Sequence, residues 1–278
     1  IELEVGYKLS VDKVNLSFLA NASYVKNEIK NLGNQTGYID KESLPTLGTV
    51  SRNQNGYPIG YFFGYKAIGV FQTQEEIDNY ISPATGKPIQ PNAVPGDTKF
   101  EDLNGDGVIS DDNEDRTMIG KPNPDWMVGL TVAADWNGFD LSAFFQGSFG
   151  ADVFDALRRY ELAAVNYTSD ALERRTGPGT SNSMPRIVLG DTPKNFRPST
   201  LLVHDASFLR LRNLQVGYTL PAQLTRKAYI QRLRLYASFD NLLTITGYKG
   251  MDPEIGSTMG IDKGVYPQAR VYTFGLNL

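Results

Sequence analysis

From Trp126 to Trp136 apolar and polar positions alternate with a period of two, the mark of a strand with one apolar face. Trp126, Val128, Leu130, Val132, Ala134 and Trp136 share one side, and Met127, Gly129, Thr131, Ala133 and Asp135 share the other. Asn137-Gly138 follows, a strong two-residue hairpin signal. The alternation then resumes in opposite phase with Phe139, Leu141, Ala143, Phe145, Gly147 and Phe149. A two-residue turn there sets Trp136 opposite Phe139, Ala134 opposite Leu141, Val132 opposite Ala143, Leu130 opposite Phe145 and Trp126 opposite Phe149. The one awkward pair is Asp135 with Asp140, a like-charge contact expected to sit in water beside the turn. Similar stripes run through Ile1 to Leu9, Val14 to Ala22, Leu214 to Leu220, Leu233 to Phe239 and Tyr272 to Leu278. A connection over Ser10 to Lys13 would place Leu9 opposite Val14. The phase slips between Leu211 and Leu214, which predicts a β-bulge near Arg212 and Asn213.

Length gives these strands a destination. Ten steps from Trp126 to Trp136 cover about 33 Å, and a tilt of about 40° projects this to roughly 25 Å, the height of the apolar band on an outer-membrane barrel. Tryptophan at both ends suits two interfacial girdles. The alternative is a soluble sandwich, whose strands usually run about 5–6 residues. Connections alternate between short ones, very short after Leu9 and Trp136 and moderate after Leu220, and long ones at about 27–125, 150–206 and 244–268, the order expected of periplasmic turns and extracellular loops. About seven spanning strands result. Single-chain bacterial barrels have even counts, and an open edge is not tolerated in lipid. Because Ile1 already reads as mid-strand, the expectation is a piece of a longer chain.

Composition narrows the function. The 278 residues include no cysteine and one histidine, His204, which removes thiol chemistry and disulfides and leaves almost no material for a Ser-His-Asp triad. A net charge of -4 provides no basic field for nucleic acid. Fifteen Tyr, 14 Phe and 2 Trp argue against disorder. No run approaches the roughly 18 apolar residues of a spanning helix. No pair of carboxylates stands out as a catalytic acid and base, so an enzyme is not expected.

Asp102-Leu103-Asn104-Gly105-Asp106-Gly107-Val108-Ile109, followed by Asp115 to Asp125, resembles the loop-to-strand signature of SusC/RagA-type TonB-dependent transporters. So do Gly69 to Glu76, Gly138-Phe139-Asp140-Leu141 with Phe144 to Gly147, and Ser207 to Leu214 with Gly217 to Pro221. Asn241 to Thr244, Tyr248-Lys249-Gly250 with Asp252-Pro253-Glu254, and Tyr266-Pro267-Gln268 before Thr273 to Leu278 extend the resemblance over nearly the whole chain. It implies an all-β, transmembrane antiparallel β-barrel of 22 strands, of which residues 1–278 would be a C-terminal fragment, with the plug domain outside this sequence. It further implies a Gram-negative outer membrane, import of an oligosaccharide or oligopeptide, contact with TonB through an N-terminal region, and a SusD-like surface lipoprotein as lid. Two other readings are a small passive porin and a secreted calcium-dependent carbohydrate-binding module.

Candidate sites lie in the long connections. Asp102, Asn104, Asp106, Val108 (through its carbonyl), Ser110 and Asp112 have the alternate spacing of a calcium loop, and Gly107 permits the sharp turn. Position twelve is Asn113 where an EF-hand carries a bidentate glutamate; Asp112, Glu114 or Asp115 could substitute. The same residues also make metal-free Asx turns. A Ca2+ ion there would have a structural role. Tyr57, Tyr61, Phe62, Phe63 and Tyr65 form either a stacking surface for substrate or loop packing, the latter favoured. Arg158, Arg159, Glu161, Arg174 and Arg175, with a short helix from Asp152 to Val165, read as a solvated charged face or a contact to lid or substrate. Arg210, Arg212, Arg232 and Arg234 alternate with outward leucines and so point into a polar lumen. His204 reads as an ordinary loop residue.

Overall fold

The computed structural model describes residues 1–111, 114–158, 166–255 and 259–278. Seven strands form one antiparallel sheet: β1 (Glu2–Val11), β2 (Val14–Tyr24), β3 (Trp126–Trp136), β4 (Phe139–Phe149), β5 (Phe208–Thr219), β6 (Arg234–Thr246) and β7 (Val271–Asn277). They lie side by side in chain order, each paired with its neighbour in sequence. Among the described residues β1 and β7 each have one neighbour, so the sheet is an open arc. A small porin closed by these strands alone is thereby removed.

The β3–β4 register agrees pair for pair with the pattern, from Trp136 opposite Phe139 to Trp126 opposite Phe149. Asn137 and Gly138 take positive φ (47° and 85°), the backbone that a type I′ turn needs to match strand twist. The Asp135–Asp140 pair is present, but water does not relieve it alone. Arg234, on β6, donates through Nε to Asp140 Oδ1 (2.9 Å) and through Nη2 to Oδ2. The first turn is tighter than expected: Asp12 adopts a left-handed φ of 51°, so two residues suffice. Val11 then pairs with Val14, and Leu9 with Leu16 rather than Val14. Both stripes still share a face, because a shift of two preserves the alternation. The expected bulge is found where Phe144 and Phe145 face Asn213 and Leu211, leaving Arg212 as the extra residue. At the same level β6 carries its own irregularity, with Asn241 left-handed at φ 53°.

Among the described residues the apolar face of this sheet has no second layer. Leu130 is 38% exposed, Trp136 53% and Phe274 75%, and the buried apolar clusters are drawn from other segments. One joins Leu44, Val50, Phe62, Phe154, Leu202 and Ile261; two smaller ones centre on Val153 with Tyr248 and on Met184 with Phe196. All of these belong to the three long connections, which share one end of the sheet and fold together into a loop layer. That layer holds small sheets of its own. Tyr38–Leu44, Gly48–Gln54, Tyr61–Tyr65 and Arg116–Gly120 form one; Asp152–Asp155 with Val203–Asp205 and Ile261–Asp262 form another; Ala67–Val70 and Thr98–Phe100 pair as a third. The expected helix from Asp152 to Val165 is not what its described start forms: Asp152–Asp155 is a strand, because Val153 and Phe154 bury into two apolar clusters at once. Residues 159–165 lie outside the described set.

Candidate functional site

The face of the sheet opposite the apolar stripe is polar. Asn15, Ser17, Asn21, Thr131, Ser142, Gln146, Asn213, Gln215, Ser238, Asp240 and Thr273 share it through the strand register. Arg210, Arg212 and Arg234 point the same way, as the alternation requires; Arg232 is exposed just ahead of β6. The arginines do not simply face solvent. Arg210, 2% exposed, donates to Asp252 Oδ1 (2.5 Å), Glu254 Oε2 (3.0 Å) and Thr244 Oγ1 (2.9 Å). Arg212 lies beside it, with its Nη2 2.6 Å from both oxygens of Glu254 and its Nε 2.6 Å from Gln146 Oε1. The bulge supplies this geometry, since the extra residue lets Arg210 and Arg212 both turn inward around one carboxylate. Asp252 also accepts from the backbone N–H groups of Glu254 and Gln268, both at 2.9 Å. Burial alone would raise its pKa, but those N–H groups and the Arg210 guanidinium outweigh it and hold the carboxyl below its ordinary value. The Asp252-Pro253-Glu254 segment is thus latched to the polar face of the sheet.

The aromatic cluster is a core. Tyr61, Phe62, Phe63 and Tyr65 are all buried, so the packing reading holds and a substrate-stacking platform does not. Burial pushes the Tyr61 hydroxyl up to about 12, and it donates to Gln54 Oε1 at 2.6 Å. Guanidinium groups interleave with the rings: Arg52 lies 4.0 Å from the Tyr38 centroid and 3.7 Å from Phe63, Arg116 lies 4.4 Å from Phe63, and Arg197 lies 4.8 Å from Tyr65 and 4.9 Å from Phe100. Such cation–π contacts let long charged side chains be buried in the loop layer. The sequence does not mark these arginines, because the short strands that carry Arg52 and Arg116 show no apolar–polar alternation and Arg197 lies in a connection.

The calcium-like loop is held by its own side chains. Asp102 accepts from the N–H of Gly105 (2.8 Å) and Gly107 (2.9 Å), Asn104 from that of Asp106 (3.0 Å), and Asp106 from that of Val108 (2.8 Å). Ser110 gives its carbonyl to the Tyr65 hydroxyl (2.7 Å). Gly105 and Gly107 have φ of 78° and 87°, as the turns demand. Asp115, fully buried, closes the loop by accepting from Leu103 N (3.0 Å) and Ser110 N (3.1 Å). Asp112 and Asn113 lie outside the described residues. Among the described residues no three His, Cys, Asp or Glu side chains gather as a metal-holding group.

In the second long connection Arg158 and Arg175 are partly buried, while Arg174 is exposed. Arg158 bridges Asp155 (3.0 Å) and Asp170, and Arg175 Nη2 donates to the Gln72 carbonyl (2.7 Å). Arg174 donates to Ala171 O (2.9 Å); Arg159 and Glu161 lie outside the described residues. A cavity of about 490 Å³ opens here, lined among others by Asp155, Arg158, Asp170, His204, Tyr248 and Lys249. His204 is more than an ordinary loop residue. It sits on a strand with its Nε2 3.8 Å from Asp155 Oδ2 and its ring 6.1 Å from that of Tyr248. Burial, aided by the Arg158 charge, pushes its pKa down, so the imidazole is neutral at pH 7. The Tyr248 hydroxyl donates to Asp262 Oδ2 at 2.6 Å, and burial raises its pKa.

No family model matches the chain. Over 236 residues it is 34% identical to the TonB-dependent receptor P3 of Formosa agariphila, a match that takes in 81% of this chain and 22% of that protein. Over 262 residues it is 30% identical to the TonB-dependent receptor SusC of Bacteroides thetaiotaomicron, covering 93% and 24%. The fold superposes on the RagAB peptide importer in its open-open state with a TM-score of 0.72 at 25% identity, taking in 99% of this chain and 28% of that one. The chain belongs to the TonB-dependent receptors. It spans about a quarter of the length of the curated relatives it matches. In a barrel of this family one face of such a sheet meets lipid and the other lines the lumen. The matched relatives are receptors and importers rather than enzymes.

Proposed function

We propose that the chain builds part of the wall and loop layer of an outer-membrane, TonB-dependent importer of an oligomeric nutrient. The cargo is an oligosaccharide or an oligopeptide, captured under a SusD-like lipoprotein, and no bond is broken. TonB would act through a region outside this sequence, pulling on a plug. One observation carries the reading. The sheet leaves its long apolar face uncovered while its other face is polar and tied to a folded loop layer, which suits a wall between lipid and an aqueous passage. A secreted carbohydrate-binding module would bury that face. The likeness to a peptide importer supports an oligopeptide cargo, and the family resemblance admits an oligosaccharide as well.

Two experiments test this. A strain lacking the gene for the intact receptor should fail to grow on one class of oligomer, supplied separately as peptides and as glycans, and regain growth on complementation. The intact receptor, tagged and extracted from membranes, should retain a surface lipoprotein. Undiminished growth on both classes, or recovery of the protein in the buffer-soluble fraction, would remove the proposal.

The second reading concerns the Asp102–Ser110 loop as a structural Ca2+ site, favoured by hard oxygens at alternate positions around two left-handed glycines. Extracellular sites have dissociation constants of about 10⁻⁴–10⁻³ M, so 10 mM calcium would stabilise the intact receptor by about 1.4–2.7 kcal/mol. Melting should therefore rise with calcium and fall with chelator, and Asp102→Asn should abolish the difference. Equal melting with and without chelator would show that the Asx turns suffice.

A further inference from the structure

The β5–β6 connection differs from the other two short turns. It lies at the end of the sheet opposite the loop layer, with the turns Asp12-Lys13 and Asn137-Gly138, yet it is longer and built. Ala222–Thr225 forms a helical turn and Arg226–Ala228 a 3-10 turn. Thr225 is buried. Ile230 N–H donates to Thr225 O (3.1 Å), and Leu220 N–H to Leu233 O closes its base (2.9 Å). Between Leu220 and Leu233 the sequence holds three cations, Arg226, Lys227 and Arg232, and no carboxylate, and all three are exposed. Of the carboxylates nearby, Asp140 is held by Arg234, Asp12 lies in the β1–β2 turn, and Asp135 lies on β3 opposite Asp140. Tyr229 stands 98% exposed with a left-handed φ of 60°, a conformation uncommon for a bulky residue. Leu224 is exposed too. The adjoining rim of the apolar stripe is aromatic: the Phe139 ring lies 6.2 Å from Trp136 and 4.4 Å from Tyr218.

We infer that this connection binds an anionic phospholipid headgroup of the inner leaflet, with Arg226, Lys227 and Arg232 on the phosphate and Tyr229 and Leu224 at the acyl boundary. The inference rests on the membrane reading above. Short turns of outer-membrane barrels face the periplasmic side, where phospholipid headgroups lie. Tyrosine is favoured at that depth because its ring is amphipathic, and cations within a Debye length of an anionic surface are attracted to it. A soluble periplasmic partner would use the charges but would not need the ring beside an aromatic girdle.

The test is lipid retention by the intact receptor, extracted in mild detergent and analysed by native mass spectrometry, beside reconstitution into vesicles with and without phosphatidylglycerol. Wild type should retain phosphatidylglycerol in preference to phosphatidylethanolamine. Removing each cation should weaken retention about five-fold, since a basic side chain near an anionic surface contributes about 1 kcal/mol. Arg226→Gln with Lys227→Gln should therefore lose most of it, while Lys87→Gln, on the loop side, should lose none. Tyr229→Gly relieves the left-handed backbone and should still lower retention. Equal retention by the double variant and wild type would overturn the lipid site while leaving the barrel reading intact, as would a pull-down in which those cations hold a periplasmic protein and no lipid. Failure of wild type to insert into any vesicle would overturn both.

Discussion

At the scale of single residues, the pair Arg210 and Arg212 shows what alternation can and cannot reveal. Period two places them inward, but their partners Asp252 and Glu254 sit 42 residues further on, in a connection with no periodicity. Removing one member of a buried pair leaves the other as an uncompensated charge, which costs about 3–5 kcal/mol. Arg210→Met should therefore free residues 247–268, seen as faster amide exchange and new protease cleavage in that segment of the intact receptor, while β3 and β4 stay protected. Unchanged exchange there would mean the latch does not hold the loop. His204 makes a second case. Its folded pKa is depressed by burial, so between that value and the ordinary one of about 6.5 the unfolded state binds more protons, and stability rises with pH. The loop layer should loosen as pH falls below about 6.5, and His204→Gln should flatten that dependence, read by melting at pH 5 and pH 7.5. The sequence marked His204 only as solitary; nothing in it reported the burial that gives it a titration.

At the scale of elements, the β3–β4 hairpin was legible to the residue because one apolar face, one Asn-Gly turn and equal strand lengths all specify the same register. The β1–β2 turn is two residues tighter than the pattern predicts, since Asp12 accepts a left-handed backbone that no pattern marks and both registers keep the stripes together. The consequence to test is which face meets lipid. Leu130→Arg, near the middle of β3 on the uncovered face, should cost about 2–4 kcal/mol of membrane stability. Ser142→Arg, on the inner face of β4, should cost far less. The fraction of heat-modifiable protein in membranes measures both; equal effects would mean the two faces see the same environment.

At the scale of the molecule, the uncovered face and the loop core divide the work between two kinds of burial. The strands were readable because lipid exposure imposes strict alternation. The loop layer was not, because Phe62, Phe154, Leu202 and Ile261 meet from segments far apart in sequence and follow no period. No pattern in the sequence therefore marks the small sheets within these connections. The arc itself has a physical demand to satisfy. Along β1 and β7 every second residue turns its N–H and C=O away from the sheet, and each such group left unpaired in hydrocarbon costs several kcal/mol, so two bare edges cost on the order of tens of kcal/mol. These 278 residues produced alone should thus fail to insert into vesicles as a monomer with protease-protected strands, whereas the intact receptor should yield protected fragments containing Trp126 to Phe149. The loop layer, whose core is its own, should melt at similar temperature in both preparations if it folds without the wall. A lone chain that inserts as a protected monomer would mean that its edges do not face lipid and that the sheet curves differently from a barrel wall.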